Sequence, residues 1–425
     1  MMSAPSTASL TRPSPAWLAG LRAEARSLFD TMRWPTPELE DWRRTDLGRF
    51  DLPSFPEGRE VGEVDRTEEA GGELRPRSEE PRGLAGRIRF KSGSCAELSL
   101  AERLYSAGAR LEPIGMGSAS GLLGEALASA RDKIALWHFV RLEYGAYLYL
   151  PAGLSVEDPI VVDFEEGGDG RHAEPHVAIV LSEGASATVV VRIRETAEAR
   201  ILGNSRVDIR LGQGSALRLF DSRSLGAQSL HFHRARARLA EGSSLERLEA
   251  QLGSRLAHTR IECLLEGRGS EATLEGLYFC GRDQHADLGT ELRHVSPGAT
   301  SRAAYKGAVA GGGRAVFQGL IEVAEGASGT DAFLSNRNLL LGGAARADSI
   351  PTLRIGNNDV RCSHGSATGR LDEEELFYLQ SRGFSRDEAR ELLILGFFED
   401  LLARAPDDFR EESLAHLRRL LADAA

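Results

Sequence analysis

The residues best equipped for chemistry lie in the run Asp359-Val360-Arg361-Cys362-Ser363-His364. A thiol and an imidazole two positions apart in an alternating stretch share one face of a strand, with neighbours on that face about 7 Å apart. Val360 stands on the same face. Such a pair can serve as metal ligands or sit as a buried thiol beside a hydrogen-bonded histidine. Two donors do not close a metal site, because structural zinc and cluster sites take about four ligands. The other cysteines, Cys95, Cys263 and Cys280, are scattered, and no C-x-x-C pair occurs. Neither a local four-ligand site nor a disulfide framework is expected, and a reducing cytoplasm is.

Other combinations offer less. The pairs His172/His176 and His231/His233 have metal-compatible spacing, but the first lies in a glycine-rich loop and the second among arginines, and both read as structural. Cys263 shares its strand parity with Ile179 and Ile209 and reads as core filler; Cys280 is similar. Gly311-Gly312-Gly313-Arg314 lacks the Lys-Ser/Thr of a phosphate-binding loop, so ATP hydrolysis would belong to a partner. No nucleophile elbow occurs. A net charge of −11, with Lys91, Lys133 and Lys306 the only lysines, argues against a nucleic-acid binder. No run approaches 18 apolar residues, and the Ser/Thr/Pro-rich N-terminus reads as an unstructured start rather than a signal or transit peptide.

The elements that must position Cys362 and His364 follow from periodicity. Residues 16–33 read as an amphipathic helix, with Trp17, Leu18, Leu21, Ala25, Leu28 and Met32 on one side. Residues 57–86 carry almost no large apolar side chain and read as a flexible acidic linker. Helical spacing returns near Glu97–Ser106 and Gly121–Leu136, and these stretches make residues 1–136 an N-terminal helical region. From about Trp137 the period is two, and glycine-centred turns recur at Gly184, Gly214, Gly242, Gly269, Gly298 and Gly326, a repeat of about 28 residues. Leu181, Leu211, Leu239, Leu265 and Val323 then form one inward column of a β-solenoid over 137–370, with a β-sandwich as the alternative. Gly365 and Gly369 end the strand pattern. Asp372 with Glu375, and Ser385 with Glu388, are capping boxes that open helices in the tail, 371–425, which caps the solenoid.

Residues 359–383 resemble the C-terminal signature of the SufD family, scaffold subunits of the Suf iron–sulfur cluster assembly machinery. The resemblance rests on Asp359, Val360, Cys362, His364, Gly365, Thr368, Gly369, Leu371, Asp372, Glu373, Phe377, Tyr378, Leu379, Ser381, Arg382 and Gly383; Ser366-Ala367 departs mildly. Glu40-Asp41-Trp42-Arg43-Arg44-Thr45-Asp46-Leu47 is similar to the family's N-terminal element. Lys306-Gly307, Arg314–Ile321 and Asn336–Leu341 resemble its central ones. The resemblance implies a right-handed parallel β-helix flanked by helical regions, and a non-catalytic scaffold paired with a SufB-like subunit and a SufC-like ATPase. Asn336 stands where SufB carries a cysteine, and Gly365 where SufB carries a glutamate, which favours SufD. The implied site is a nascent-cluster site shared between subunits, with His364 as ligand, Cys362 as a weaker candidate and no permanently bound cofactor. The tail would meet the ATPase through Phe397, Phe398 and Leu401. A homodimer joined around residues 330–370 is expected for the isolated chain. The alternatives are a homodimer working in iron acquisition or delivery without SufB, and a β-helix polysaccharide-active enzyme, for which grouped aspartates on successive repeats are missing.

Overall fold

The computed structural model describes residues 15–52, 83–116, 119–167, 171–196 and 200–424. Its helices are α1 (Ala16–Thr31), α2 (Glu102–Ser106), α3 (Ser120–Ala128), α4 (Lys133–Arg141), α5 (Glu373–Ser381), α6 (Arg386–Leu402) and α7 (Asp407–Asp423). The early strands are β1 (Gly86–Lys91), β2 (Ser94–Leu100), β3 (Arg110–Pro113), β4 (Gly145–Leu150), β5 (Ile160–Glu166), β6 (Arg171–Ala173) and β7 (His176–Leu181). Long strands follow: β8 (Ser186–Glu195), β9 (Ile201–Leu211), β10 (Ala216–Leu225), β11 (Leu230–Leu239), β12 (Ser244–Gly253), β13 (Leu256–Leu265) and β14 (Glu271–Cys280). The series ends with β15 (His285–His294), β16 (Thr300–Val309), β17 (Arg314–Val323), β18 (Thr330–Leu340), β19 (Arg346–Ile355) and β20 (Val360–Arg370).

From β7 onward successive strands fall in alternate sheets, and each pairs in parallel with the strand one turn away. One sheet runs β2-β1-β5-β8-β10-β12-β14-β16-β18-β20; the other runs β19-β17-β15-β13-β11-β9-β7-β4-β3, with β6 against β9. The result is a parallel β-solenoid of about eight turns and roughly 29 residues per turn. A hairpin-built sandwich would pair consecutive strands antiparallel; among the described residues only β1–β2 and β3–β4 do so.

Two features keep the turns in register. Gly184, Gly214, Gly242, Gly269 and Gly298 all adopt φ of 61–69°, the left-handed region where a Cβ is unfavourable. Gly153 opens this series, and Gly329 rather than Gly326 continues it. Inside, the column runs Leu150, Leu181, Leu211, Leu239, Leu265, His294, Val323, Ile355. It is buried as far as Val323 and emerges at Ile355. His294 interrupts the apolar run and is tolerated because its Nε2 reaches Ser301 Oγ at 2.8 Å.

Helices cover the outer faces. Ile394, Phe398, Leu402, Phe409 and Leu417 of α6 and α7 pack on Phe220, Leu248, Leu277 and Phe279 of the first sheet. α1, α3 and α4 pack on Tyr147 and Ala178 of the second. Beside them Trp42 stacks on His258 at 4.0 Å and donates through Nε1 to Asp132, while Thr45 Oγ1 donates to Asp287 at 2.6 Å. The tryptophan–threonine element near the N-terminus is therefore a strap over the second sheet.

Several local expectations change. Glu97–Leu100 belongs to β2, because Ser92 and Gly93, with φ of 47° and 83°, make a two-residue hairpin that returns the chain antiparallel to β1. Helix α4 continues past Trp137 to Arg141, so the alternating region starts at Gly145. Residues 57–82 of the expected linker, and the first 14 residues, lie outside the described residues, while Gly86 already opens β1. Gly365 and Gly369 remain within β20, since parallel pairing with β18 continues to Arg370. Asp372 caps α5 by accepting from the Glu374 N–H rather than through Glu375; Ser385 and Glu388 do form a capping box. Helices α6 and α7 pack along the outside of the solenoid, not across its end.

Candidate functional site

In the last turn, β20 lies against β18 with Cys362 beside Ala332, His364 beside Leu334, Ser366 beside Asn336 and Thr368 beside Asn338. These are the inward columns of the preceding turns. Followed backwards, the His364 position is Leu334, Ala303 and Leu274, all buried. His364 itself is exposed, while Cys362 is half-buried against the core. Each of β19 and β20 is the outermost strand of its sheet and pairs on one side only. The solenoid thus ends as an open mouth with two free edges, at which Phe333 and Ile355 also emerge. Burial, then the nearby Asp331 carboxylate, pushes the Cys362 thiol up from its ordinary value, so it is mostly protonated near neutral pH. Among the described residues no three His, Cys, Asp or Glu side chains converge on a metal-sized point.

The other cysteines are placed as sequence parity indicates. Cys263 and Cys280 are buried, and desolvation pushes both to about 12. Half-buried Cys95 is pushed to about 11. None is a reactive thiolate.

The histidine pairs are buried in hydrogen-bonded networks. His233 Nε2 lies 3.1 Å from an Arg247 N–H and accepts from it, so Nδ1 carries the proton and donates to Ser205 Oγ at 2.7 Å. The Ser205 hydroxyl then donates to His231 Nε2 at 2.9 Å. Burial, reinforced by Arg223, holds both imidazoles neutral, His231 at about 3.

Sequence reading missed what surrounds them. Arg247 and Arg223 both bind Asp221, and Arg223 also binds Glu249 and reaches Gln251 Oε1 at 2.9 Å. The Tyr305 hydroxyl donates to Glu249 at 2.8 Å. Tyr278 donates to Asn338 Oδ1 at 2.5 Å and accepts from Asn336 Nδ2 at 3.1 Å. All are buried between the sheets. The two tyrosines fit because each ring covers a glycine of the neighbouring strand: a Cβ on Gly276 would lie 2.3 Å from Tyr305, and one on Gly307 2.0 Å from Tyr278. Parity could have revealed this cluster, since Leu217, Leu219, Asp221 and Arg223 alternate on one strand face as the Leu column does.

The proposed anchors in the tail are placed differently from expectation. Phe398 and Leu401 are buried and Phe397 is half-buried against the solenoid, so they fasten the tail to the body. Exposed apolar surface on the tail is instead Phe377 at 73%, with Tyr378, Phe384 and Leu392. A cleft of about 180 Å³ on the second sheet has walls of mutually paired ions, with Arg131 on Glu262 and Glu291, Arg236 on Glu262 and Arg234 on Asp132. No helix among the described residues is long and apolar enough to cross a membrane.

A family model described as SUF system FeS cluster assembly, SufBD core domain, matches residues 164–397, more than half of the chain. The iron–sulfur cluster assembly protein SufD of Escherichia coli is 32% identical over 246 residues, which cover 58% of this chain and 58% of that protein. A SufBD family protein of Mycobacterium bovis is 29% identical over 299 residues, covering 68% and 74%. SufB of Bacillus subtilis is 25% identical over 269 residues, covering 63% and 58%.

Proposed function

The chain belongs to the SufB/SufD core family of the SUF iron–sulfur cluster assembly system, and from that premise we propose that it is a SufD-type scaffold subunit. It works in the cytoplasm with a SufB-like chain and a SufC-like ATPase, and itself performs no catalysis. The observation that carries this reading is the open last turn, where inward-column residues Cys362 and His364 stand uncovered between two unpaired strand edges. Free edges of this kind are completed by another chain's backbone. A second copy fills that place when the chain is isolated.

His364 is the metal-facing residue in this reading. Neutral imidazole binds iron through one nitrogen, and a single imidazole leaves the other ligands to the partner. Iron or a nascent cluster is cargo at this interface, held only while the two chains are joined. Cys362, with its raised pKa, is the weaker ligand until a metal or a cationic partner favours its thiolate. Asn336, whose amide bonds Tyr278 and the Tyr305 carbonyl, supplies no thiolate, in keeping with a SufD-type rather than a SufB-type role. The ATPase meets the tail on Phe377, Tyr378, Phe384 and Leu392.

Anaerobic purification of the tagged chain from its native host tests this reading, with iron, acid-labile sulfide and partner identity measured together. A SufB-like chain and an ATPase should co-purify, and truncation at Gly369 should release the ATPase. Recovery of a homodimer alone, with neither partner, would count against the scaffold role.

A further inference from the structure

From β8 to β17 every strand arginine is ion-paired. On the outer faces the acid often stands on the strand one turn further on. Arg236 meets Glu262 at 2.8 Å, Arg302 meets Asp331 at 2.7 Å and Arg314 meets Asp348 at 3.1 Å. The last strands break this pattern. Arg337 on β18, Arg354 on β19 and Arg370 on β20 are exposed and make no ion pair among the described residues. Arg337 lies beside Ala367. Arg354 lies in register with Glu322, which Arg293 engages at 3.4 Å. Arg370 precedes the acidic start of α5, yet Asp372 caps that helix and Glu373 binds Arg386 at 3.1 Å. Among the described residues no further strand brings an acid to Arg354 or Arg370, because β19 and β20 are outermost in their sheets.

The turn as a whole is basic. Residues 330–370 carry five arginines, three aspartates and neither lysine nor glutamate, a net charge of +2 in a chain of net charge −11. Two of those aspartates are already engaged: Asp331 by Arg302 and Arg361, Asp348 by Arg314 and Arg346. Within this turn only Asp359 is left to meet an arginine of a second copy. A two-fold dimer joins the same patch on both chains, so it sets a basic turn against a basic turn. Like charges facing across an interface disfavour that pairing, whereas a strand edge that carries carboxylates meets the same turn with complementary charge.

Resting on the reading that another chain joins the last turn, we propose that Arg354 and Arg370 select that chain by charge. The surface fits a partner whose facing strand edge is rich in Asp or Glu, and it holds a second copy of this chain more weakly. The free backbone edges make the joint with any suitable strand. The arginines decide which strand is suitable, because charge complementarity governs specificity more than total affinity. Exposed charges act in this way only while salt leaves them unscreened, and the screening length falls from about 10 Å at 0.1 M salt to about 3 Å at 1 M.

The test mixes two differently tagged forms of the full chain, wild type and the double variant Arg354→Glu, Arg370→Glu. Both side chains are exposed, so the variant should keep the wild-type Tm. At about 0.1 M NaCl mixed dimers should be enriched about tenfold over random pairing, and at about 1 M the enrichment should vanish. The neutral variant Arg354→Gln, Arg370→Gln should self-associate more tightly than wild type at the lower salt. Expressed in the native host, it should recover several-fold less of the SufB-like chain. Mixed dimers at the random share in both salts, or unchanged recovery of the SufB-like chain, overturn selection by charge and leave the open turn standing as a joint. Failure of every form to join either a second copy or the SufB-like chain overturns both.

Discussion

The middle of the solenoid and its last turn use the same strand positions for opposite ends. In the middle, the column that leads to His364 is occupied by Leu274, Ala303 and Leu334, and the adjoining columns enclose ions paired with one another and hydrogen-bonded to buried neighbours. In the last turn those positions carry Cys362, His364, Ser366 and Thr368, and the sheet edges are free. Interior stacking is what each repeat does for its neighbour. Among the described residues no further repeat stacks on the last one, so its inward residues are freed from packing and, in the proposed reading, are available to an interface.

The sharpest break between the two regions is one substitution made in both. Leu239→Asp places an unpaired charge in the buried column and should cost more than about 5 kcal/mol or prevent folding. Ile355→Asp, in the same column one turn from solvent and 43% exposed, should cost under about 1 kcal/mol. Denaturant unfolding of both variants measures the contrast, and equal losses would dissolve it.

Next in size is the interior ion cluster. Arg247→Met leaves Asp221 without one of its two guanidinium partners, and breaking a buried pair in this way should cost about 3–5 kcal/mol. Replacing Asp221 and Arg247 together with apolar residues should recover part of that loss. If the double variant is no better than the single one, the ions are not acting as a paired unit.

A smaller effect separates the closed N-terminal end of the solenoid from its open mouth. Burial raises Glu166 and Glu174 to about 7, against the partial opposition of Tyr144 and Arg141 respectively. The folded chain favours their neutral forms, so their contribution is full below about pH 4.5 and is lost as the pH rises through about 7. Tm should fall by a few degrees between pH 6 and pH 8, and the paired change Glu166→Gln, Glu174→Gln should flatten that slope. An unchanged slope would show the acids ionised throughout.

The legible part of this fold was whatever repeats. Glycine turns and the Leu181–Leu211–Leu239–Leu265 column recur at one spacing, so a solenoid could be read from them directly. The ion cluster was hidden because charged residues at inward parity look like a failure of alternation unless neighbouring strands supply their counter-ions. The β1–β2 hairpin was hidden because Ser92-Gly93 joins strands whose polar faces weaken the period of two. Phe397, Phe398 and Leu401 were visible as an apolar anchor set, but such a set does not say whether it meets a partner or the chain's own sheet. His364 was found by position and by resemblance; its exposure follows only from its place in the last turn.

The central proposal is that the open last turn, through His364, completes a shared cluster site with another chain. It is tested most directly with His364→Ala in the complex assembled with the SufB-like partner, reading iron and acid-labile sulfide retained per complex. The expected result is normal folding and normal partner binding, since His364 is exposed and its loss removes no packing, together with loss of most of the bound iron and sulfide. A variant complex that assembles normally and keeps its full iron and sulfide would contradict the shared site.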